Sequence, residues 1–257
     1  MAKALGIIPA RWYSSRFPGK PLHLIAGKPL LQHVWERSRR ARTLDAVVVA
    51  TDDIRIAEAA FGWGAEVALT SRAHRSGTDR MAELVAKIRD ARFLINIQGD
   101  EPLIEPGLID RIVGVLRDHA KVQMVTAAHP FSETADIRSP HQVKVVLDRN
   151  NDALYFSRSV IPFKRTAKVQ PRYLRHQGIY GYRRAMLLRL VRWKPTPLEI
   201  SESLEQLRAL ENGVKIRVVV TARGSPGVDT LEDVPAVEQQ LLAGGKPAVQ
   251  RRPRRHV

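Results

Sequence analysis

Apolar runs alternate with amphipathic stretches through the first half of the chain. Ala4–Pro9 is continuously apolar, the pattern of a strand buried on both faces, and Asp45–Thr51 and Phe93–Gln98 repeat it. Between them, Leu30–Arg42 places Leu31, Val34 and Trp35 on one side, and Thr78–Arg89 places Met81, Leu84, Val85 and Ile88 at helical spacing. Ile54–Gly62 reads as a short helix, Glu66–Leu69 as a short strand, Leu108–His119 as a helix and Val122–His129 as a strand. This order predicts an α/β fold with a mostly parallel sheet and helices on both faces.

Past His129 the pattern changes. Val143–Asp148 and Ala153–Ser157 predict strands joined at Arg149-Asn150-Asn151, and Tyr173–Tyr182 predicts a further strand region. Strand following strand implies antiparallel pairing, hence a lobe inserted at about residues 130–212. Within it, Pro197–Glu211 predicts one helix with Ile200, Leu204, Leu207 and Leu210 as its core stripe. Lys215–Thr221 predicts a late strand and Leu231–Leu242 a closing helix. Residues 1–242 are expected to form one domain holding the lobe. Residues 243–257, low in apolar content, read as a basic, disordered tail.

Composition narrows the chemistry. The 257 residues include no cysteine, which excludes a disulfide scaffold, a Cys-ligated zinc site and a thiol nucleophile. No apolar run reaches the roughly 18 residues of a membrane span, and the start lacks a signal-peptide core. A cytoplasmic protein is the expectation. The formal net charge of +16 favours anionic partners. Lys246, Arg251, Arg252, Arg254 and Arg255 supply only part of it, so the body is basic too.

Three clusters carry candidate chemistry. The loop after the first strand holds Arg11, Arg16 and Lys20 with Gly19. Ligands of open α/β folds sit beyond the carboxyl ends of strands, so this loop suits a triphosphate, and equally a solvated basic loop. It is neither a P-loop nor a GxGxxG fingerprint. Asp100 in Gln98-Gly99-Asp100-Glu101-Pro102 follows a buried strand and suits Mg²⁺ held against phosphates; a capping Asp in a turn is the plainer meaning. His74–Arg80 precedes a helix that Ser76 or Thr78 would cap, while free helix N–H groups there suit a base or ribose.

Read in order, PAR-x4-R-x-PGKPL, ATDD, H-x-SGTDR, NIQGDEP, VKVVLD, ALYFSR, LRHxGIYGYR, PLE-x4-LEQLR and GVDT closely resemble the 3-deoxy-manno-octulosonate (Kdo) cytidylyltransferase family, from about Leu5 to Val237. The resemblance implies a Rossmann-like sheet of the nucleotidyltransferase type with an inserted antiparallel lobe. It implies transfer of CMP from CTP to the sugar acid's anomeric hydroxyl, a Mg²⁺ cofactor, a homodimer and a place in lipopolysaccharide synthesis. By the same resemblance, Ala10, Arg11, Arg16 and Lys20 would meet the CTP phosphates, with Ser76, Gly77, Thr78 and Arg80 around the nucleotide. Asp100 and Asp229 would hold the metal and, with Lys20, carry catalysis. Gln98, Arg158, His176, Tyr180, Glu205 and Gln206 would surround the sugar acid. The chain departs from the pattern at Gln142, where the family carries Asn, and in a short, basic Lys164–Arg172 stretch.

Three alternatives make different demands. A related sugar acid, an 8-amino analogue or a sialic acid, would use the same machinery; sialic acid enzymes usually open with a different Gly-Gly-Ser-rich loop. A nucleic-acid-binding protein would display aromatics among its basic residues, yet the 15 Phe, Trp and Tyr mostly fall in core patterns. No specific nucleic acid partner is therefore expected, only weak contact of the tail with anionic surfaces. A catalytically dead module would lack polar site positions that are filled here.

Overall fold

The computed structural model describes residues 3–13, 17–74, 76–131, 137–166 and 168–244. In chain order it contains β1 (Lys3–Ala10), the small hairpin β2 (Leu24–Ile25) and β3 (Lys28–Pro29), α1 (Leu30–Ser38), β4 (Ala46–Thr51), α2 (Ile54–Gly62), β5 (Glu66–Leu69), α3 (Gly77–Lys87), β6 (Ala91–Asn96), α4 (Pro106–Asp118) and β7 (Met124–Pro130). Then come β8 (Lys144–Leu147), β9 (Ala153–Ser157), β10 (Leu174–Arg183), α5 (Arg184–Leu190), α6 (Pro197–Glu202), α7 (Gln206–Glu211), β11 (Ile216–Val220) and α8 (Val234–Leu242).

The main sheet runs β11-β7-β10-β6-β1-β4-β5. β1, β4, β5 and β6 are mutually parallel, as are β7 and β11. β10 alone on this path is antiparallel, to both β6 and β7. Its first half also pairs with β8, which pairs with β9. The expected α/β fold with a mostly parallel sheet and an antiparallel addition is therefore the observed one. β10 belongs to both parts: the expected lobe supplies a central strand of the main sheet, wedged where β6 and β7 would otherwise be neighbours. Gly181 makes the close packing there attainable, since a Cβ at that position would overlap Ile112 of α4.

Each face of the sheet carries its own core, as period-2 strands between amphipathic helices require. Met81 and Val85 of α3, Met186 and Leu187 of α5 and Leu207 of α7 pack on one face. Leu31 and Val34 of α1, Ile56 of α2 and Ile109 and Ile112 of α4 pack on the other. Helix starts follow local chemistry. Asp53 caps α2 by accepting from the Arg55 N–H, and Ser76 and Asp79 form a capping box at α3.

Two local expectations change. The single helix over Pro197–Glu211 is two: Ser203 adopts a left-handed conformation (φ 52°) and splits α6 from α7. The Arg208–Glu199 ion pair folds α7 back on α6, with Nε 2.8 Å from Oε2. Arg158 holds the carbonyls exposed at the break. Ile200 consequently leaves the expected core stripe and is 66% exposed. Helix α5, with Met186, Leu187 and Leu190 buried, is additional to the predicted elements. The residues beyond 244 fall outside those described.

Candidate active site

The chain leaves β1 through β4 and β5 and returns to β6 on the other side of β1. The carboxyl ends of β1 and β6 therefore open on the crevice where open α/β sheets bind ligands. A cavity of about 400 Å³ lies there. Its lining draws Ala10, Arg11 and Lys20 from the loop after β1, Ser76, Gly77, Thr78 and Arg80 from the start of α3, and Gln98 and Asp100 from the end of β6. Tyr180 of β10, Glu205 and Gln206 at α7, and Asp229 complete it. All of these stand out in the sequence, and the fold brings them together. Arg16 lies outside the described residues. Arg158 and His176 do not line the cavity.

At the end formed by the loop after β1, the Lys20 ammonium donates to Asp100 Oδ2 at 2.7 Å and to the Val228 carbonyl at 2.9 Å. The Val228 N–H donates to the Asp100 carbonyl at 2.9 Å. Three segments distant in sequence are thereby tied into one wall carrying Asp100 and Asp229. Behind it lies Glu101, which in the sequence looks like part of a turn. Glu101 is buried, and Gln177 Nε2 donates to its Oε2 at 2.7 Å. Desolvation pushes the Glu101 carboxyl up to about 7, against the Gln177 hydrogen bond and with the charges of Asp100 and Asp229. Asp100 and Asp229 fit Mg²⁺ by donor chemistry: hard carboxylate oxygens in one cavity, few in number, as suits an ion that shares its shell with phosphates and water.

On the α3 side, Ser76 acts as the helix cap, its Oγ accepting from the Asp79 N–H at 3.1 Å. Gly77 lets the helix start approach Pro9, whose ring would lie 3.3 Å from an added Cβ. Arg80 is buried and committed within the protein. Its Nη2 lies 3.0 Å from Asp52 Oδ2, and its Nη1 donates to Thr70 Oγ1. His74 reaches the cavity and pairs at 2.6 Å with Glu83. Hydrogen bonds from the Ser71 N–H, His74 and Lys87 hold the Glu83 carboxyl down at about 2.

The opposite end holds Asn96, Met124, Tyr182 and Leu190 in addition to the predicted residues. Asn96 Oδ1, an acceptor, and Gln206 Nε2, a donor, are buried without a protein partner among the described residues. A polar ligand is the natural complement to such a pair. Asn96 and Tyr182 stand two residues from Gln98 and Tyr180 on their strands, so side-chain alternation was the signal that would have found them.

His176 stands behind Tyr180. Its ring packs edge-on to Phe156 at 5.0 Å and lies 5.5 Å from Tyr180. Thr126 Oγ1 donates to the Ile179 carbonyl, so it accepts the proton of His176 Nε2 at 3.0 Å. Desolvation lowers the His176 pKa to about 3 and keeps the imidazole neutral. The Arg158 guanidinium turns away to the carbonyls of Glu202 (2.7 Å) and Pro140 (2.8 Å). Its backbone N–H and the Ser157 hydroxyl donate to the Glu202 carboxylate at 2.9 and 2.6 Å. Arg158 thus braces the α6–α7 break immediately before Glu205 and Gln206.

A basic loop after β1, Asp100 and Asp229 beside it and further polar lining suit a nucleotidyltransferase site on a nucleotide-binding α/β fold. Comparison with known proteins agrees. A family model described as Cytidylyltransferase matches residues 5–216. The chain is 50% identical over 249 residues to the 3-deoxy-manno-octulosonate cytidylyltransferase of Geobacter metallireducens, covering 93% of this chain and 98% of that protein. It is 48% identical over 248 residues to the protein of the same name from Pseudomonas fluorescens, covering 92% and 97%. The solved structure of CMP:2-keto-3-deoxy-manno-octonic acid synthetase complexed with CTP superposes with a TM-score of 0.90 at 43% identity, over 95% of this chain and 100% of that one. The chain belongs to the 3-deoxy-manno-octulosonate cytidylyltransferase family.

Proposed function

We propose that this protein transfers CMP from CTP to the anomeric hydroxyl of Kdo, releasing pyrophosphate. The observation that carries the reading is one cavity lined both by Arg11, Lys20, Asp100 and Asp229 and by Tyr180, Glu205 and Gln206. The anomeric oxygen forms a bond to the α-phosphorus as the bond to pyrophosphate breaks in line. Arg11 and Lys20 offset phosphate charge, and the rigid wall holding Lys20 needs little reorganisation as charge shifts. Asp100 and Asp229 would hold Mg²⁺, which when bound supplies further neutralisation of phosphate charge. Tyr180, Glu205 and Gln206 orient the sugar acid, and catalysis is mostly positioning.

The test is pyrophosphate release with CTP and a panel of Kdo, its 8-amino analogue and a sialic acid. The highest kcat/KM is expected with Kdo. Release with none of them, or a preference for another acid, would overturn the reading.

Three finer parts belong to the same proposal. A homodimer is supported by the exposure of Leu154 (63%), Phe163 (83%) and Ile200 (66%) and is tested by light scattering. A cytoplasmic setting, where CTP is available, and use of the product in lipopolysaccharide assembly complete it; among the described residues no helix is long and apolar enough to cross a membrane. Weak contact of the basic tail with anionic surfaces is tested by vesicle co-sedimentation of full-length protein and protein lacking residues 244–257.

A further inference from the structure

We infer that Arg55 is a positioning residue for the phosphate loop: through the ring of Trp12 it fixes Gly19, and with it the Lys20 ammonium. Neither Trp12 nor Arg55 lines the cavity, and neither is part of the site described above. The Arg55 guanidinium carbon lies 3.6 Å from the centroid of the Trp12 ring. Asp53 holds that guanidinium by a fork, Oδ1 to Nε at 2.9 Å and Oδ2 to Nη2 at 2.6 Å. The same Asp53 caps α2, so the fork is anchored to a helix end packed on the sheet.

Trp12 passes this anchoring on. Its ring covers Gly19 so closely that an added Cβ would lie 3.1 Å from a ring carbon, and Gly19 has φ 71°. The Gly19 N–H donates to the Trp12 carbonyl at 3.0 Å, closing the loop. The next residue is Lys20, 2.7 Å from Asp100. A rigid path therefore runs from the α2 cap through Arg55 and Trp12 to the cation at the phosphate end.

The chemistry asks for arginine. A planar guanidinium stacks on an aromatic face while its edge meets a carboxylate in a fork, and an ammonium lacks both geometries. Asp53 is buried, so its fork with Arg55 contributes to stability as well, and a readout specific to CTP is what separates the two roles.

The inference rests on the CTP reading, and the experiment separates the two. Wild-type turnover with CTP is measured first; its absence with every sugar acid would sink the functional reading instead. Arg55→Ala is expected to raise KM for CTP about threefold to tenfold, the cost of re-ordering a loop that was pre-set. KM for the sugar acid stays unchanged, while Tm falls because the buried Asp53 carboxylate loses its fork. Arg55→Lys is expected to match Arg55→Ala. Tryptophan fluorescence titrated with inorganic tripolyphosphate, a probe needing no sugar, should show weaker binding in both variants. Recovery of the wild-type CTP KM in Arg55→Lys would show that Arg55 acts as bare charge and overturn the inference. So would an unchanged CTP KM or unchanged tripolyphosphate binding in Arg55→Ala, or a parallel change in both KM values and Tm.

Discussion

Lys20 and Asp100, 80 residues apart in sequence, meet with Nζ 2.7 Å from Oδ2. The pair is partly exposed, so its contribution to stability is at most about 1 kcal/mol. Its contribution to a transition state rich in phosphate charge is larger. Lys20→Ala should lower kcat/KM at least about 100-fold, roughly 2.7 kcal/mol, with little change in urea midpoint. Asp100→Ala should remove most turnover while the fold persists, and a chelator should do the same to the wild type. Near-full rates in Asp100→Ala or in chelator would detach Asp100 from the metal role.

Glu101 and His176 give opposite pH dependences. Glu101 is raised from 4.5 to about 7 by desolvation, so the folded state binds its proton more tightly and stability falls as pH rises through that window. His176 is lowered from 6.5 to about 3 by desolvation, so the folded state resists its proton and stability is lost as pH falls below 6.5. Between about pH 4.5 and 6.5 the two oppose each other. Glu101→Gln should leave the His176 slope unopposed, stability rising with pH by up to about 2–3 kcal/mol across that interval. Urea unfolding in divalent-free buffer checks this; a Glu101→Gln profile as flat as the wild type would refute it.

Arg80, 4% exposed, should behave as a structural group despite its place at the cavity. Arg80→Met leaves Asp52 without its 3.0 Å partner. A loss of about 3 kcal/mol, or roughly 6–12 °C in Tm, is expected. A stable Arg80→Met protein with a large rise in KM for CTP would instead assign the guanidinium to the nucleotide.

Arg158→Ala should weaken the sugar end alone. Its bonds to the Glu202 and Pro140 carbonyls brace the turn that presents Glu205 and Gln206. KM for the sugar acid should rise about fivefold to fiftyfold with KM for CTP unchanged. Because Glu202 also binds Ser157 and the Arg158 N–H, Arg158→Ala and Glu202→Ala should be non-additive. Additive effects would mean the two side chains act separately.

The end of the cavity at Lys20 and Asp100 was readable in the sequence because residues there sit where strands stop: Ala10 ends β1, and Asp100 follows β6. The far end was half readable. Gln98 and Tyr180 stood out through their motifs, whereas Asn96 and Tyr182 look like ordinary strand residues until alternation is applied. The Trp12–Arg55 contact had no local signature, since it depends on where α2 docks. The bend at Ser203 likewise depends on Arg158, 45 residues away, reaching the Ser203 carbonyl. Strand propensity located β10 correctly but carried no information on its neighbours, which are set by topology.

The wedging of β10 between β6 and β7 also governs the order of events during synthesis. β6 and β7 are complete once residue 130 has emerged, yet the strand that joins them ends at Arg183. Until then each presents an open, apolar edge on the nascent chain, with Leu94 and Ile95 on one and Val125 and Ala127 on the other. Such edges invite pairing with the wrong strand. Fragments ending before Leu174 should aggregate, and delivery of β10 is the step that unites the two halves of the sheet before β11 covers the outer edge of β7.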